Sequence, residues 1–327
     1  MGVAAVAEGV AGSTTRRPLD ARALERHAMR LMRRPAPWLH EEVARRMAER
    51  LAILKRAPRH IVDWGARLGG SEAALLAACP QARRIAAEVL PEPASALVSS
   101  RDPSRPSPRL SVPAPWWSAR RWWPAGEGAT PAPAESALPE GEADLLWSNM
   151  VLHHQPDPRQ SMARWLRLLA VEGLLMFSTL GPGTLESLRR LYAARRWPAP
   201  HAPFVDMHDL GDMLVEAGFA DPVMDQEVLT LTWATPAEAL AELRALGGNA
   251  DSRRHAGLRT PRWRAALEQA LAQAQARTDG RVAMEFEVVY GHAVRPVPRA
   301  RVAAETAVPL ADMRGMLRGR SPKGPTR

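Results

Sequence analysis

The chain has 327 residues, enough for one large α/β domain with additions. Its net charge of +9 invites an acidic partner, but nearly all the basic residues are Arg, only Lys55 and Lys323 being Lys, so the charge reads as compositional bias. The single cysteine, Cys79, excludes an intramolecular disulfide and a Cys-rich metal site; no apolar run reaches the ~18 residues of a membrane span, and residues 1–13 lack a basic n-region, so a cytoplasmic protein is expected, with no membrane and no metal.

Residues 1–18 are expected to be a disordered lead-in. Leu19 to Met32 has helical periodicity. Trp38 to Leu54 is a stronger amphipathic helix, with Leu39, Val43, Met47, Leu51 and Leu54 on one stripe. Next comes HIVDWGARLGGSEAALLAACPQARRIAAE, His60 to Glu88. A short β-type run, Ile61-Val62, ends at Asp63. Gly65, Gly69 and Gly70 form a turn. Ala73 to Cys79 has helical composition, and Ile85 to Ala87 is a second short run ending in Glu88. This is a strand–turn–helix–strand unit with the chemistry of nucleoside binding. Glycines let backbone approach a ligand, and a carboxylate about 20 residues on takes the ribose diol.

Residues 91–142 are rich in Pro and hold a cluster, Trp116, Trp117, Trp122 and Trp123, beside Arg120 and Arg121. Irregular structure is expected there, with a strand near Leu110–Val112 or Trp116–Ser118. Trp and Arg together suggest base stacking, but no RNA-module motif accompanies them, and indoles covering a core face explain them better. Leu145 to Ser148 reads as a buried strand ending in Asn149. Pro158 to Leu169 is an amphipathic helix closed by Glu172-Gly173. Leu174 to Thr179 is an apolar strand, Gly181-Pro182-Gly183 a turn, and Thr184 to Ala194 a helix. Asp209 to Gly218 is a helix, with Asp206 as its candidate cap. Val223 to Thr232 is a strand, Pro236 to Leu246 and Pro261 to Arg277 are helices, and Met284 to Ala293 alternates like a half-buried strand. Alternation of strand and helix predicts a parallel sheet with crossovers. Residues 297–327 are expected to be a basic disordered tail, leaving 19–296 as one domain.

Asp63, Gly65 and Gly69 match the first motif of class I S-adenosylmethionine-dependent methyltransferases, D/E-x-G-x-G-x-G. Further on, DLLWSNMVLHH, GLLMFSTLGPGTLESLRRLY, FVDMHDLGDMLVEAGF and MEFEVVYGHA resemble the malonyl-acyl-carrier-protein O-methyltransferases of biotin synthesis. The resemblance runs from about Leu24 to Ala293. It implies an α/β fold, a Rossmann-like seven-stranded methyltransferase sheet with one antiparallel strand and an N-terminal helical cover. It also implies S-adenosylmethionine as cofactor and an acidic acyl-carrier protein as partner. On the matching positions it assigns Asp63, Gly65, Gly69, Glu88, Asn149 and Met150 to the cofactor. Three positions depart from the family pattern: Arg67 replaces the middle glycine, Arg33-Arg34 replace Tyr-Asp, and the adenine-side acid is lost near Pro133. Together they predict weakened or lost cofactor binding.

Methyl transfer to a carboxylate needs positioning rather than a strong base, because the nucleophile is already ionised. His153, His154 and Ser178 are the substrate-side candidates; neither Ser178 nor Thr179 has a neighbouring base that would make it a nucleophile. Carboxyl O-methylation of malonyl-acyl-carrier protein is the first reading. A catalytically degenerate binding or scaffold protein is the alternative, and a nucleic-acid-associated methyltransferase the third.

Overall fold

The computed structural model describes residues 17–31, 34–53, 57–88, 97–101, 138–274 and 279–298, with 97–101 described as backbone only. In chain order the elements are α1 (Ala21–Leu31), α2 (Trp38–Glu49), β1 (His60–Trp64), α3 (Ala66–Gly69), α4 (Glu72–Ala78), β2 (Arg83–Glu88) and β3 (Leu97–Arg101). They continue with β4 (Ala143–Ser148), α5 (Pro158–Leu168), β5 (Leu169–Leu180), α6 (Glu186–Ala194) and α7 (Met207–Ala217). The chain then forms β6 (Ala220–Trp233), α8 (Pro236–Ala245), α9 (Pro261–Ala274) and β7 (Val282–Val294). The strands make one seven-stranded sheet in the order β3-β2-β1-β4-β5-β7-β6.

Side-chain alternation decides the layers. Ile61, Leu145, Met176 and Val288 face one core; their neighbours Val62, Leu146, Phe177 and Val289 face the other. A sheet buried on both sides needs apolar residues at consecutive positions, which is why the central strands are continuous hydrophobic runs. On the first face lie α2, α4, α6, α8 and α9; α5 and α7 cover the second. Leu39, Val43, Met47 and Leu51 of the N-terminal cover are buried as a stripe. The helix itself stops at Glu49 and continues as a 3-10 turn, Arg50–Ile53; Leu54 lies outside the described residues. Two ion pairs bind the cover to β6, Arg46–Glu227 and Arg50–Asp225, each 2.8 Å. Asp206 caps α7 by accepting from His208 N–H at 2.8 Å, and Gly218, at φ +99°, ends it.

Strands β1, β2, β4 and β5 pair in parallel, and β7 runs antiparallel to both β5 and β6. Strand β3 is also antiparallel, to β2, so the sheet holds two reversed strands where one was expected. Only residues 89–96 separate β2 from β3. That is shorter than the dozen or so residues a parallel crossover requires. β3 lies ahead of both sites proposed for a strand in 91–142. Those sites, Leu110–Val112 and Trp116–Ser118, fall outside the described residues, as do the four tryptophans near them.

Glu172-Gly173 is not a helix stop. β5 begins directly after α5, at Leu169, and this pair lies within it. Glu172 takes φ +63°, and a Cβ at Gly173 would come within 2.7 Å of Ala143 O, so the glycine permits a close strand–strand approach. Of the expected lead-in, Arg17 and Pro18 are among the described residues. Arg17 is buried, its N–H donates to Pro156 O at 2.9 Å, and Asp20 N–H donates to Ala250 O at 2.8 Å. Those bonds hold the end of the expected lead-in against the domain.

Gly291 of β7 sits opposite Phe177 of β5, and an added Cβ would overlap the Phe177 ring and lie 3.0 Å from Met224 Sδ. Gly291→Ala is expected to cost about 1–3 kcal/mol by overpacking. Urea unfolding reads it; an unchanged midpoint would mean that this face is not tightly packed.

Candidate active site

The site is built where β1 and β2 end. Gly65 follows β1 with φ +74°, and its N–H donates to Ala87 O at 2.6 Å, tying the two strand tips together. A Cβ there would lie 2.5 Å from Val151 Cγ2, so glycine serves both the dihedral and the close approach. Residues 66–69 then make the single helical turn α3. Its exposed first amides need acceptors. Arg67 N–H finds one in Glu88 Oε1, at 2.6 Å. Glu88 is buried, and its other oxygen, Oε2, has no hydrogen-bond partner. Burial pushes this carboxyl up to about 8; the Asp63 charge adds to the rise and the Arg67 N–H opposes it. The Arg67 side chain is exposed. The residue buried in the turn is Leu68, packed with Leu31 and Val151. Arg67 therefore does not fill the space of the missing glycine. Arg34 is exposed as well; Arg33 and Pro133 lie outside the described residues.

Asp63, on β1, is fully buried. Its Oδ2 pairs with Arg84 Nη1 of β2 at 2.8 Å, and Arg84 Nη2 reaches Glu72 Oε1 at 3.1 Å. Burial raises the Asp63 carboxyl to about 6, against the pull of Arg84. Its Oδ1 has no partner.

Asn149 ends β4, and its amide is fully engaged by the protein. Nδ2 donates to His40 O at 2.8 Å and to Gly69 O at 2.6 Å, and Oδ1 accepts from Ser178 Oγ at 2.7 Å. Ser178 Oγ in turn accepts from Met150 N–H at 3.0 Å. Met150 is wholly buried at φ +53°. These three residues hold the ends of β4 and β5 to the glycine turn. A Cβ on Gly69 would stand 2.6 Å from Asn149 O, so that glycine permits contact with protein backbone.

His153 and His154 lie on the 3-10 turn that follows, Leu152–His154, with ring centroids 4.2 Å apart. Both line a cavity of about 740 Å³ that also takes in Arg17, Thr184, Tyr192 and Trp263. Burial holds both imidazoles well below their usual range, that of His154 at about 3, so both are neutral. Ser178 is not in this lining. Of the substrate-side candidates, the structure brings the two histidines together and places Ser178 in the framework behind them. Sequence reasoning missed Arg17: an arginine next to a stretch without periodicity carries no signal of burial. Among the described residues no group of three or more His, Cys, Asp or Glu could hold a metal ion, and no helix is long and apolar enough to cross a membrane.

Arg84→Met should leave Asp63 buried without its cation. Asp63 has a folded pKa above its unfolded one, so its contribution to stability is complete below about pH 4 and is lost as pH rises through about 6. Removing Arg84 raises that pKa further. The variant's deficit against the parent should therefore be small at pH 5 and grow by at most about 3 kcal/mol by pH 8, about 1.4 kcal/mol for each of the roughly two pH units above the parent's Asp63 pKa of about 6. Denaturant unfolding at the two pH values measures it; a deficit independent of pH would show that Asp63 is not the group left unpaired.

The sequence comparisons agree with this geometry. Residues 37–221 match the family model described as a methyltransferase domain. The malonyl-[acyl-carrier protein] O-methyltransferase of Laribacter hongkongensis is 38% identical over 81% of this chain and 86% of its own. The enzyme of the same name from Halorhodospira halophila is 36% identical over 86% of this chain and 90% of its own. That from Methylovorus is 38% identical over 82% and 85%. With identity at this level across most of both chains, and with a glycine turn and an acid-tipped second strand in the expected sheet order, the chain belongs to the methyltransferase-domain family, in its malonyl-[acyl-carrier protein] O-methyltransferase group.

Proposed function

We propose that this protein is an S-adenosylmethionine-dependent methyltransferase that esterifies the free carboxylate of a malonyl group carried on an acyl-carrier protein. One observation carries the reading. The short turn after β4 has Val151 against the glycine turn at Gly65 and His153 with His154 in the large cavity. The nucleoside-type crevice and a ligand-sized chamber thus share one wall.

The residues present fit the cofactor at its ribose end. Glu88 Oε2 is a buried acceptor with no partner, at the tip of β2 beside Gly65. Glu88 would take the ribose hydroxyls, with Asp63 behind it and the Gly65–Gly69 backbone alongside. When bound, the cofactor supplies a methyl group on a positively charged sulfur, and the acceptor oxygen gains the methyl carbon as the sulfur keeps the electron pair. The chain's part is to hold, orient and exclude water. Asn149, Met150 and Ser178 fix the wall between crevice and chamber. The neutral His153 and His154 offer the acceptor hydrogen bonds without adding charge. The exposed arginines on the chamber's rim, Arg244 and Arg264, suit an acidic carrier protein. A cytoplasmic location accords with this reading.

The direct test is methyl transfer from S-adenosylmethionine to a malonyl-loaded carrier, with an acetyl-loaded carrier as control. An ester on the first and none on the second is expected. Cofactor binding without transfer to the malonyl carrier would point to another acceptor, and no cofactor binding to a scaffold role. Glu88 gives a second expectation. Ribose hydroxyls donate to the ionised carboxylate, so binding must release the proton that burial holds on Glu88 up to about pH 8. Affinity should therefore rise from pH 6 to 8, by at most about tenfold per unit, and level off above. Glu88→Gln should weaken binding by about ten- to a hundredfold and abolish the pH dependence. Calorimetric titration checks both; a flat profile in the parent protein would remove Glu88 from the cofactor site.

A further inference from the structure

We infer that Arg17 is the residue that recognises the acceptor's free carboxylate, and that the large cavity is an anion-selective chamber with Arg17 as its buried end. The inference rests on the proposed function for the identity of the acyl group.

Arg17 is only 8% exposed. Its Nη2 donates to Pro203 O at 2.6 Å and its Nη1 to His153 O. Both acceptors are neutral carbonyls. No carboxylate lies within ion-pair distance of Arg17 among the described residues, and its Nε has no partner. A guanidinium carries five N–H donors, so the two carbonyls leave three unused. Burying a cation without a counter-ion costs several kcal/mol. Burial lowers its pKa to about 10, so it remains charged at neutral pH.

The chamber around it has the matching character. No Asp or Glu lines it, whereas Arg17, Arg244, Arg259 and Arg264 do. The other three differ from Arg17. Arg244 and Arg264 are exposed, Arg264 also pairs with Glu268 at 2.8 Å, and Arg259 lies 4.3 Å from the Trp263 ring centroid. Only Arg17 is a desolvated cation awaiting an anion. Hydrogen-bonding capacity is also left over in the same walls: His153 Nδ1, His154 Nε2, His201 Nε2 and Trp263 Nε1 are buried without partners. Unmet polar groups gathered around one cavity call for a polar ligand.

The reaction gives such a site a purpose. A carboxylate has two oxygens, and a guanidinium on one leaves the other free as the nucleophile. Methylation removes the acceptor's negative charge. A chamber that binds through Arg17 therefore holds the acid and releases the ester.

The test compares binding of the malonyl-loaded carrier with binding of its methyl ester, in full-length protein. The parent should bind the acid at least about tenfold more tightly than the ester, the value of one charge-assisted hydrogen bond. In Arg17→Gln the two affinities should fall within about twofold of each other, and Arg17→Lys should restore part of the preference. S-adenosylmethionine affinity should be unchanged in both. Damage to the fold would weaken acid and ester alike and leave their ratio intact, so an intact ratio in Arg17→Gln overturns the inference. If that variant does not fold, equal affinities for acid and ester in the parent overturn it just as well. Failure of the parent to methylate the malonyl carrier would instead overturn the proposed function, and a parent that methylates it but shows no acid preference separates the two.

Discussion

One buried amide sets the geometry of the whole carboxyl edge of the sheet. Asn149 joins the N-terminal cover through His40 O, the glycine turn through Gly69 O, and β5 through Ser178 Oγ. All of its side-chain donors and its oxygen are engaged. Without it those buried contacts would lose a hydrogen-bond partner, a loss of about 0.5–1.5 kcal/mol for each bond. The network is extended by His40 Nδ1, 2.8 Å from Leu68 O. Four segments distant in sequence therefore share one register. Crevice and chamber keep their spacing because the residue between them has no freedom left.

The charged groups at the site stand on that frame in a state that water would not permit. Glu88 and Asp63 are both pushed up by burial, and Arg84 stands between Asp63 and Glu72. Buried charges are weak stabilisers, because desolvation offsets most of the attraction. The domain keeps three buried ionisable groups, Asp63, Arg84 and Glu88, at the tips and flanks of β1 and β2. Unmet capacity is concentrated there and around the chamber. Concentrated polar cost in an otherwise well-packed fold is what ligand sites require, since the ligand supplies the missing partners.

Much of this was legible in the sequence, and the limits have physical causes. Central strands were readable because burial on two faces forces unbroken apolar runs such as Leu174 to Phe177. The glycine turn and Glu88 were readable because dihedral and spacing leave few residue choices. The direction of β3 was not, since it depends on connection length rather than on residue pattern. Glu172-Gly173 misled because a glycine that ends a helix and a glycine that lets strands approach look identical in one dimension. Asn149 was assigned to the cofactor by resemblance, but its side chain serves the frame; nothing in a sequence distinguishes an amide that faces a ligand from one that faces three carbonyl and hydroxyl groups. Arg17 was invisible for a related reason. Its burial comes from pairing with Pro156 and Pro203, more than a hundred residues away.

The departure at Arg67 shows where a motif's chemistry resides. The family pattern has glycine at this position, which suggests that a side chain there would collide with the cofactor. In the structure the position contributes its backbone N–H to Glu88, and its side chain is exposed. Any residue but proline can donate that hydrogen bond. The guanidinium still acts at a distance, where its charge lowers the Glu88 pKa, in the direction that favours a carboxylate able to accept hydroxyls. An arginine that is sterically silent and electrostatically helpful is compatible with the site. The positions that cannot vary are Gly65, with its left-handed dihedral against Val151, and Gly69, against the Asn149 carbonyl. The glycines of this turn are kept for contact with protein as well as with ligand, so the motif here defines the packing of a turn first and a binding surface second.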